Sequence, residues 1–307
     1  GGLPTLSGRP LMGLTALWVA GRILPFFPGL VSPWLVALAD LAFLPWVGVA
    51  ITLPIARKRL WRHAGILAAL AGLVLANAGM HLALAGVLPI PFTHFSHAAT
   101  WLIVMLIAVI AGRVMPFFTR RAVPGAQPTS WRGLEAPAIG LLGLLAVLAV
   151  AGAPIRVRAP VALLAAVLHG VRLAGWHDRR LWRIPLLWVL YCGYAWIVAG
   201  LLLSTSVAHQ SLAIHAFTTG AIGVLTLGMM ARVSLGHTGR ALTASGPMVA
   251  AFVIINLAAF VRVALPLLDM GHYVRWVHGS GGLWSLAFTI FVASYTRILV
   301  TPEAPPP

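Results

Sequence analysis

The chain has 307 residues, 60% of them hydrophobic and 8% charged, with a mean hydropathy of +0.96 and a formal net charge of +16. One soluble core cannot hide that much apolar surface, so a soluble domain is excluded and a lipid bilayer is the expected covering partner. The basic excess would suggest nucleic acid in a soluble protein, but here the arginines gather in short loops between apolar runs, which encodes topology and excludes nucleic acid as a partner.

Hydropathy predicts an all-α, polytopic transmembrane helix bundle of about ten spans. Their approximate limits are 10–28, 31–56, 63–88, 94–118, 134–152, 159–176, 183–203, 209–231, 244–268 and 275–300. No period-two alternation appears, and open sheet edges are not viable in lipid, so strands are excluded. Residues 1–307 are expected to form a single integral-membrane domain, with 301–307, TPEAPPP, as a disordered tail. The start at Gly1-Gly2, with no methionine and no signal peptide, is expected to be a truncation.

Spans one and two carry Arg22 and Asp40 in the same half of the membrane, joined by the tight FPGLVSP turn. A buried ion pair is the least costly arrangement for both, the alternatives being Asp40 as a proton-relay carboxylate or Arg22 as a partner for haem propionates. Asp40 is the one acid well inside a span, since Glu135, Asp178, Asp269 and Glu303 fall at span ends or in loops. Arg57, Lys58, Arg59 and Arg62 follow span two, and Arg120, Arg121 and Arg132 follow span four. Arg179, Arg180 and Arg183 follow span six, and Arg232 and Arg240 follow span eight. All four loops share one side, which the positive-inside rule makes cytoplasmic, together with both ends of the chain.

That orientation gathers histidines at the outer face. His81 ends span three, His94 and His97 begin span four, His209 and His215 begin span eight, and His272 and His278 flank the start of span ten. His63, His177 and His237 fall in or beside cytoplasmic loops, and His169 lies deeper in a span. A single interfacial histidine most often only hydrogen-bonds, but convergence of several favours a metal site. The candidate ligands are His81, His94, His97, His209, His215 and His278. His94 and His97 share a helix face, whereas His209 and His215 are about 240° apart around an ideal helix and face different partners. Haem iron and copper both take imidazole, so a histidine-rich site suits either. The single Cys192 lies in an apolar helix, which excludes an intramolecular disulfide and a thiolate cluster.

GRILPFF at 21–27 and GRVMPFF at 112–118 agree at five of seven positions. Together with the likeness of spans four and eight they suggest four-helix repeat units at about 10–118 and 134–231, with an extra helix pair at 244–300. Gly193, Gly200, Gly220, Gly223 and Gly228 have small-residue spacing, which serves close helix packing or makes room for a flat macrocycle. The turn formed by Gly236, His237, Gly239 and Arg240, with Arg232 before it, is either an anion site built on backbone amides or a plain topological turn.

Residues 209–240 read HQSLAIHAFTTGAIGVLTLGMMARVSLGHTGR. From His215 to Arg240 this resembles the best-preserved segment of the NnrS family of bacterial inner-membrane proteins, and the resemblance extends over essentially the whole chain. It implies haem and copper as cofactors and a role in the response to nitric oxide and nitrosative stress in denitrifying or respiring cells. Nitric oxide or iron-nitrosyl species would be the ligand, with a redox donor if there is turnover; enzyme and protective binder both stay open. The family has about twelve spans and carries upstream a tryptophan-histidine-x-histidine-glutamate segment that nothing here matches. The competing class is a metal-free transporter or permease, suggested by the repeats and by Pro25, Pro45, Pro54, Pro116 and Pro185.

Overall fold

The computed structural model describes residues 6–27, 29–59 and 64–302. His63, and residues 303–307 of the expected disordered tail, lie outside the described residues. The described chain is helical, with no strand among the described residues. In chain order the long helices are α1 (Gly8–Ile23), α2 (Pro33–Arg57), α3 (Ala64–Leu84), α4 (Phe92–Ala122), α5 (Arg132–Val150), α6 (Ile155–Trp176) and α7 (Pro185–Leu203). Then α8 runs through Gln210–His215, a π-helical Ala216–Ile222 and Gly223–His237, and is followed by α9 (Gly246–Leu268) and α10 (Tyr273–Val300). Among the described residues nine helices are long and apolar enough to cross a membrane; α1, with 16 residues, is the short one.

The helix limits follow from local chemistry. Pro33 and Pro185 sit in the first turn of α2 and α7, where the missing N–H costs nothing and the fixed φ suits the helix. The α5–α6 corner is made at Gly152, whose φ of +63° is strained for any side chain. Pro45, Pro54 and Pro116 are carried inside continuous helices, so none of them marks a broken span. The eighth span is longer than hydropathy predicts, reaching His237 past Arg232, because it ends in a helix cap at Gly239 (φ +66°) where Arg240 N–H donates to Leu235 O at 3.0 Å.

Contacts divide the chain into two compact units: Gly1–Val109 with Ala146–Gly152, and Ile110–Leu145 with Ala153–Pro307. In the first unit the apolar surface mostly faces away from protein: α2 buries only Ala37 and Ile55 of its 25 residues. A helix that is apolar all round and so little covered needs lipid as its solvent. The small core of this unit forms where α3 and α4 approach, with Ala69, Ala76, Phe95, Ala98 and Trp101 buried. A Cβ on Gly72 would lie 2.9 Å from Leu102 Cδ1, so that approach depends on the glycine.

The second unit is centred on α7 and α8, where Leu187, Tyr194, Ile197, Phe217, Val224 and Leu227 have no exposed surface. Glycines on each helix receive large side chains of the other: Gly193 faces Leu225, Gly228 faces Val189, Gly200 faces Phe217 and Gly220 faces Trp196. These small residues serve helix packing, and the space beside them is already filled.

The α6–α7 connection is a 3-10 turn, Arg179–Arg183, capped by Asp178, which accepts from Arg180 N at 2.9 Å, Nε at 3.0 Å and Nη2 at 2.8 Å. These hydrogen bonds hold the Asp178 carboxyl down to about 2, below its ordinary 3.8. A depressed carboxyl stabilises the fold above its unfolded value, and that contribution disappears as pH falls from about 4 toward 2. Protection of the Arg180 amide, its exchange referred to that of an unstructured chain at the same pH, is therefore expected to fall across that window. Asp178→Asn should already show faster exchange at neutral pH; equal protection in both proteins at neutral pH would refute the cap.

Candidate functional site

In the first unit, polar groups from three helices meet at Asp40 of α2. Its Oδ1 pairs with Arg22 of α1, and its Oδ2 accepts from Asn77 Nδ2 at 2.9 Å and lies 3.1 Å from His81 Nε2. Asn77 and His81 are one helical turn apart on α3, so both reach the same carboxylate. The approach of α1 depends on Gly21, whose added Cβ would stand 3.3 Å from both Asp40 Cα and Oδ1.

This cluster is open. The Arg22 side chain is 57% exposed, against 16% for Asp40 and 21% for His81. Gly21, Arg22, Asp40 and His81 line a cleft of 310 Å³. His81 also lines a second cleft of 580 Å³, walled by apolar side chains including Leu24, Phe27, Trp34 and Leu84.

The other candidate histidines have different surroundings. The His94 ring packs against Gly152, where a Cβ would come within 2.8 Å of its Cε1. His97 is half-buried one turn further along α4. In the second unit, His215 Nε2 accepts from Arg262 Nη2 at 2.6 Å, which occupies that lone pair and sets a fixed positive charge beside the ring. Arg262 also donates to Tyr273 OH at 3.1 Å, while its Nη1 is enclosed without a partner among the described residues. His209 closes the 3-10 turn Val207–His209 before α8, and His278 is exposed on α10. His272 lies 2.5 Å from Asp269 on a loop, and that hydrogen bond holds the Asp269 carboxyl below its ordinary value. Among the described residues, no three His, Cys, Asp or Glu side chains come together as a metal-holding group.

At the 236–240 turn, Arg240 reaches Thr301 Oγ1 at 2.7 Å and Thr238 O at 3.3 Å, and its backbone N–H belongs to the helix cap. Arg232 is buried apart from it, its guanidinium 3.8 Å from the Phe118 ring centroid.

Sequence reasoning missed a second polar centre. Arg172 of α6, 1% exposed, donates from Nε to Glu135 Oε1 at 3.1 Å and from Nη2 to Oε2 at 2.7 Å. Its Nη1 reaches Tyr194 OH and, at 3.1 Å, His169 Nδ1, and His169 donates from Nε2 to Ala138 O at 3.1 Å. Glu135 sits in the first turn of α5, a position that looks like a span end in the sequence. Gly112 carried the available signal. A Cβ there would run into Arg172 Nη2 and lie 2.9 Å from Glu135 Oε2. Each glycine of the repeated GR segments thus touches a carboxylate on the next helix, which a residue of the helix after that bonds: α1, α2, α3 in one case and α4, α5, α6 in the other. This succession has a period of three helices.

The donor chemistry can be tested against the cofactors that the sequence implied. A protein-bound haem asks for an axial imidazole, cationic partners for its propionates and an apolar cleft, and His81, Arg22 and the 580 Å³ cleft fit that demand. Copper asks for several imidazole or carboxylate donors at one point, and no such set assembles among the described residues.

Fold and clusters together define a polytopic helical membrane protein with polar clusters at inter-helix contacts around Asp40 and Arg172. The family model described as NnrS protein matches residues 1–303, so the chain belongs to the NnrS family, membrane proteins of the nitric oxide response. No curated protein and no solved structure was found to match it.

Proposed function

We propose that the protein carries haem near the periplasmic face of the bacterial inner membrane, and protects the cell by binding or turning over nitric oxide and iron-nitrosyl species. The observation that carries this reading, beside family membership, is the apolar cleft that has His81 as its imidazole, with Arg22 lining the smaller cleft that shares His81. His81 would hold the haem iron and Arg22 would balance a propionate. The bound group supplies a metal centre for a small diatomic ligand. The protein's part is to orient the imidazole through Asp40, to exclude water with Leu24, Phe27, Trp34 and Leu84, and to admit a small uncharged molecule from the bilayer. Basic loops after α2, α4, α6 and α8 would face the cytoplasm, with both ends of this chain on that side.

The test is an optical spectrum of the detergent-purified protein, oxidised, reduced and exposed to nitric oxide, with iron and copper measured on the same sample. A Soret band that shifts with nitric oxide is expected, and His81→Ala should abolish it. A folded protein with no Soret band and no stoichiometric metal would overturn this reading in favour of a metal-free transporter.

A further inference from the structure

Among the candidate histidines, His81 has a carboxylate bound to one ring nitrogen and a cleft beside it, and we infer that Asp40 is a positioning residue that locks His81 as the Nε2–H tautomer, so that Nδ1 is the atom offered to the occupant of the cleft. The inference rests on the proposed haem site and deepens it. Asp40 accepts from Asn77 at 2.9 Å, faces His81 Nε2 at 3.1 Å and pairs with Arg22. Arg22 donates to one Asp40 oxygen and Asn77 to the other, so both oxygens serve as acceptors. Facing a bare Nε2 lone pair would set acceptor against acceptor, so the proton belongs on Nε2.

Two consequences follow from the charge. A carboxylate hydrogen-bonded to a ligating imidazole fixes the ring orientation and raises its basicity, which favours the more positive state of whatever metal it holds. Arg22 opposes this by drawing on the same carboxylate. Removing Asp40 and removing Arg22 should therefore move the imidazole's donor strength in opposite directions, which a purely structural ion pair would not do.

The experiment uses the full chain, purified in detergent, and measures haem content, haem affinity and reduction potential, with the electron paramagnetic resonance spectrum of the ferrous nitrosyl form. In Asp40→Asn, haem affinity should fall about 10- to 100-fold, the potential should rise, and the nitrosyl signal should move toward the five-coordinate form as the trans imidazole weakens. In Arg22→Gln, which leaves the Asp40–His81 contact in place, the potential should fall. If His81→Ala loses haem while Asp40→Asn and Arg22→Gln both keep the wild-type potential, the positioning role is overturned and the haem site stands. If His81→Ala keeps haem with an unchanged spectrum, the site itself is overturned, and this inference with it. Should Asp40→Asn fail to fold, the iron–histidine stretching frequency of the ferrous Arg22→Gln protein decides: a rise, from a stronger imidazole donor, supports the role, while no change or a fall refutes it.

Discussion

Glu135→Ala is expected to destabilise the detergent-solubilised protein by about 3 to 5 kcal/mol, the cost of stripping the partner from a buried charge. Arg172 is 1% exposed and makes a two-point contact with Glu135, at 3.1 Å and 2.7 Å, so the substitution leaves a guanidinium without its carboxylate inside the protein. Tyr194 OH and His169 Nδ1 accept hydrogen bonds, and the Trp176 ring, 4.9 Å away, offers only a π face. Glu135→Gln keeps one acceptor and should cost less. The double variant Glu135→Gln with Arg172→Met removes both charges and should regain most of the loss, since an apolar pair of similar volume is often no worse than a buried ion pair. Thermal unfolding followed by tryptophan fluorescence reads all three. A change in Glu135→Ala within about 0.5 kcal/mol, the range of ordinary surface substitutions, would show that the network carries no weight.

The second large effect is expected at Gly220, within the π-helical stretch of α8. A Cβ there would stand 2.6 Å from Trp196 Cγ and 2.8 Å from Cδ2, closer than real side-chain contacts come. Gly220→Val therefore has to push Trp196 or open the α7–α8 contact, a typical overpacking cost of about 1 to 3 kcal/mol. Trp196 also donates from Nε1 to Asn256 Oδ1 of α9 at 3.3 Å, so its displacement reaches a third helix. Lowered stability and a shifted tryptophan emission are expected together. If Gly220→Val unfolds at the wild-type temperature, α7 and α8 are not held by this interlock. Pairing Gly220→Ala with Trp196→Phe, which removes part of the clashing ring, should recover stability that Gly220→Ala alone loses.

These two sites differ in how far they could be read from residues alone. Gly220 lies on a face of evenly spaced small residues, and small-residue spacing in a membrane helix points to packing without any coordinates. Glu135 gave no such signal, because three residues into a helix an acid looks like an ordinary end group stabilised by the helix dipole. Its partner Arg172 comes from the next helix, at a sequence distance that no local pattern links. The same holds at Asp40. That an acid in a span needs a cation was legible, and Arg22 was the nearest, but nothing in the spacing marked Asn77 and His81 as further partners of the same carboxylate.

The histidines show the limit most clearly. Their placement at span ends follows from hydropathy and loop charge, quantities that a chain carries in its order of residues. Which ring nitrogen is engaged, and by what, is a tertiary matter: Asp40 on His81, Arg262 on His215, a packed glycine under His94. By itself the sequence determined the solvent, the helical class and most span limits, because a backbone in lipid must satisfy its own hydrogen bonds and only helices of membrane length do so with this composition. Tertiary structure alone decided the partners of the charged and titratable groups, because those depend on how helices far apart in the chain are rotated against each other, to within the few ångströms over which a hydrogen bond forms.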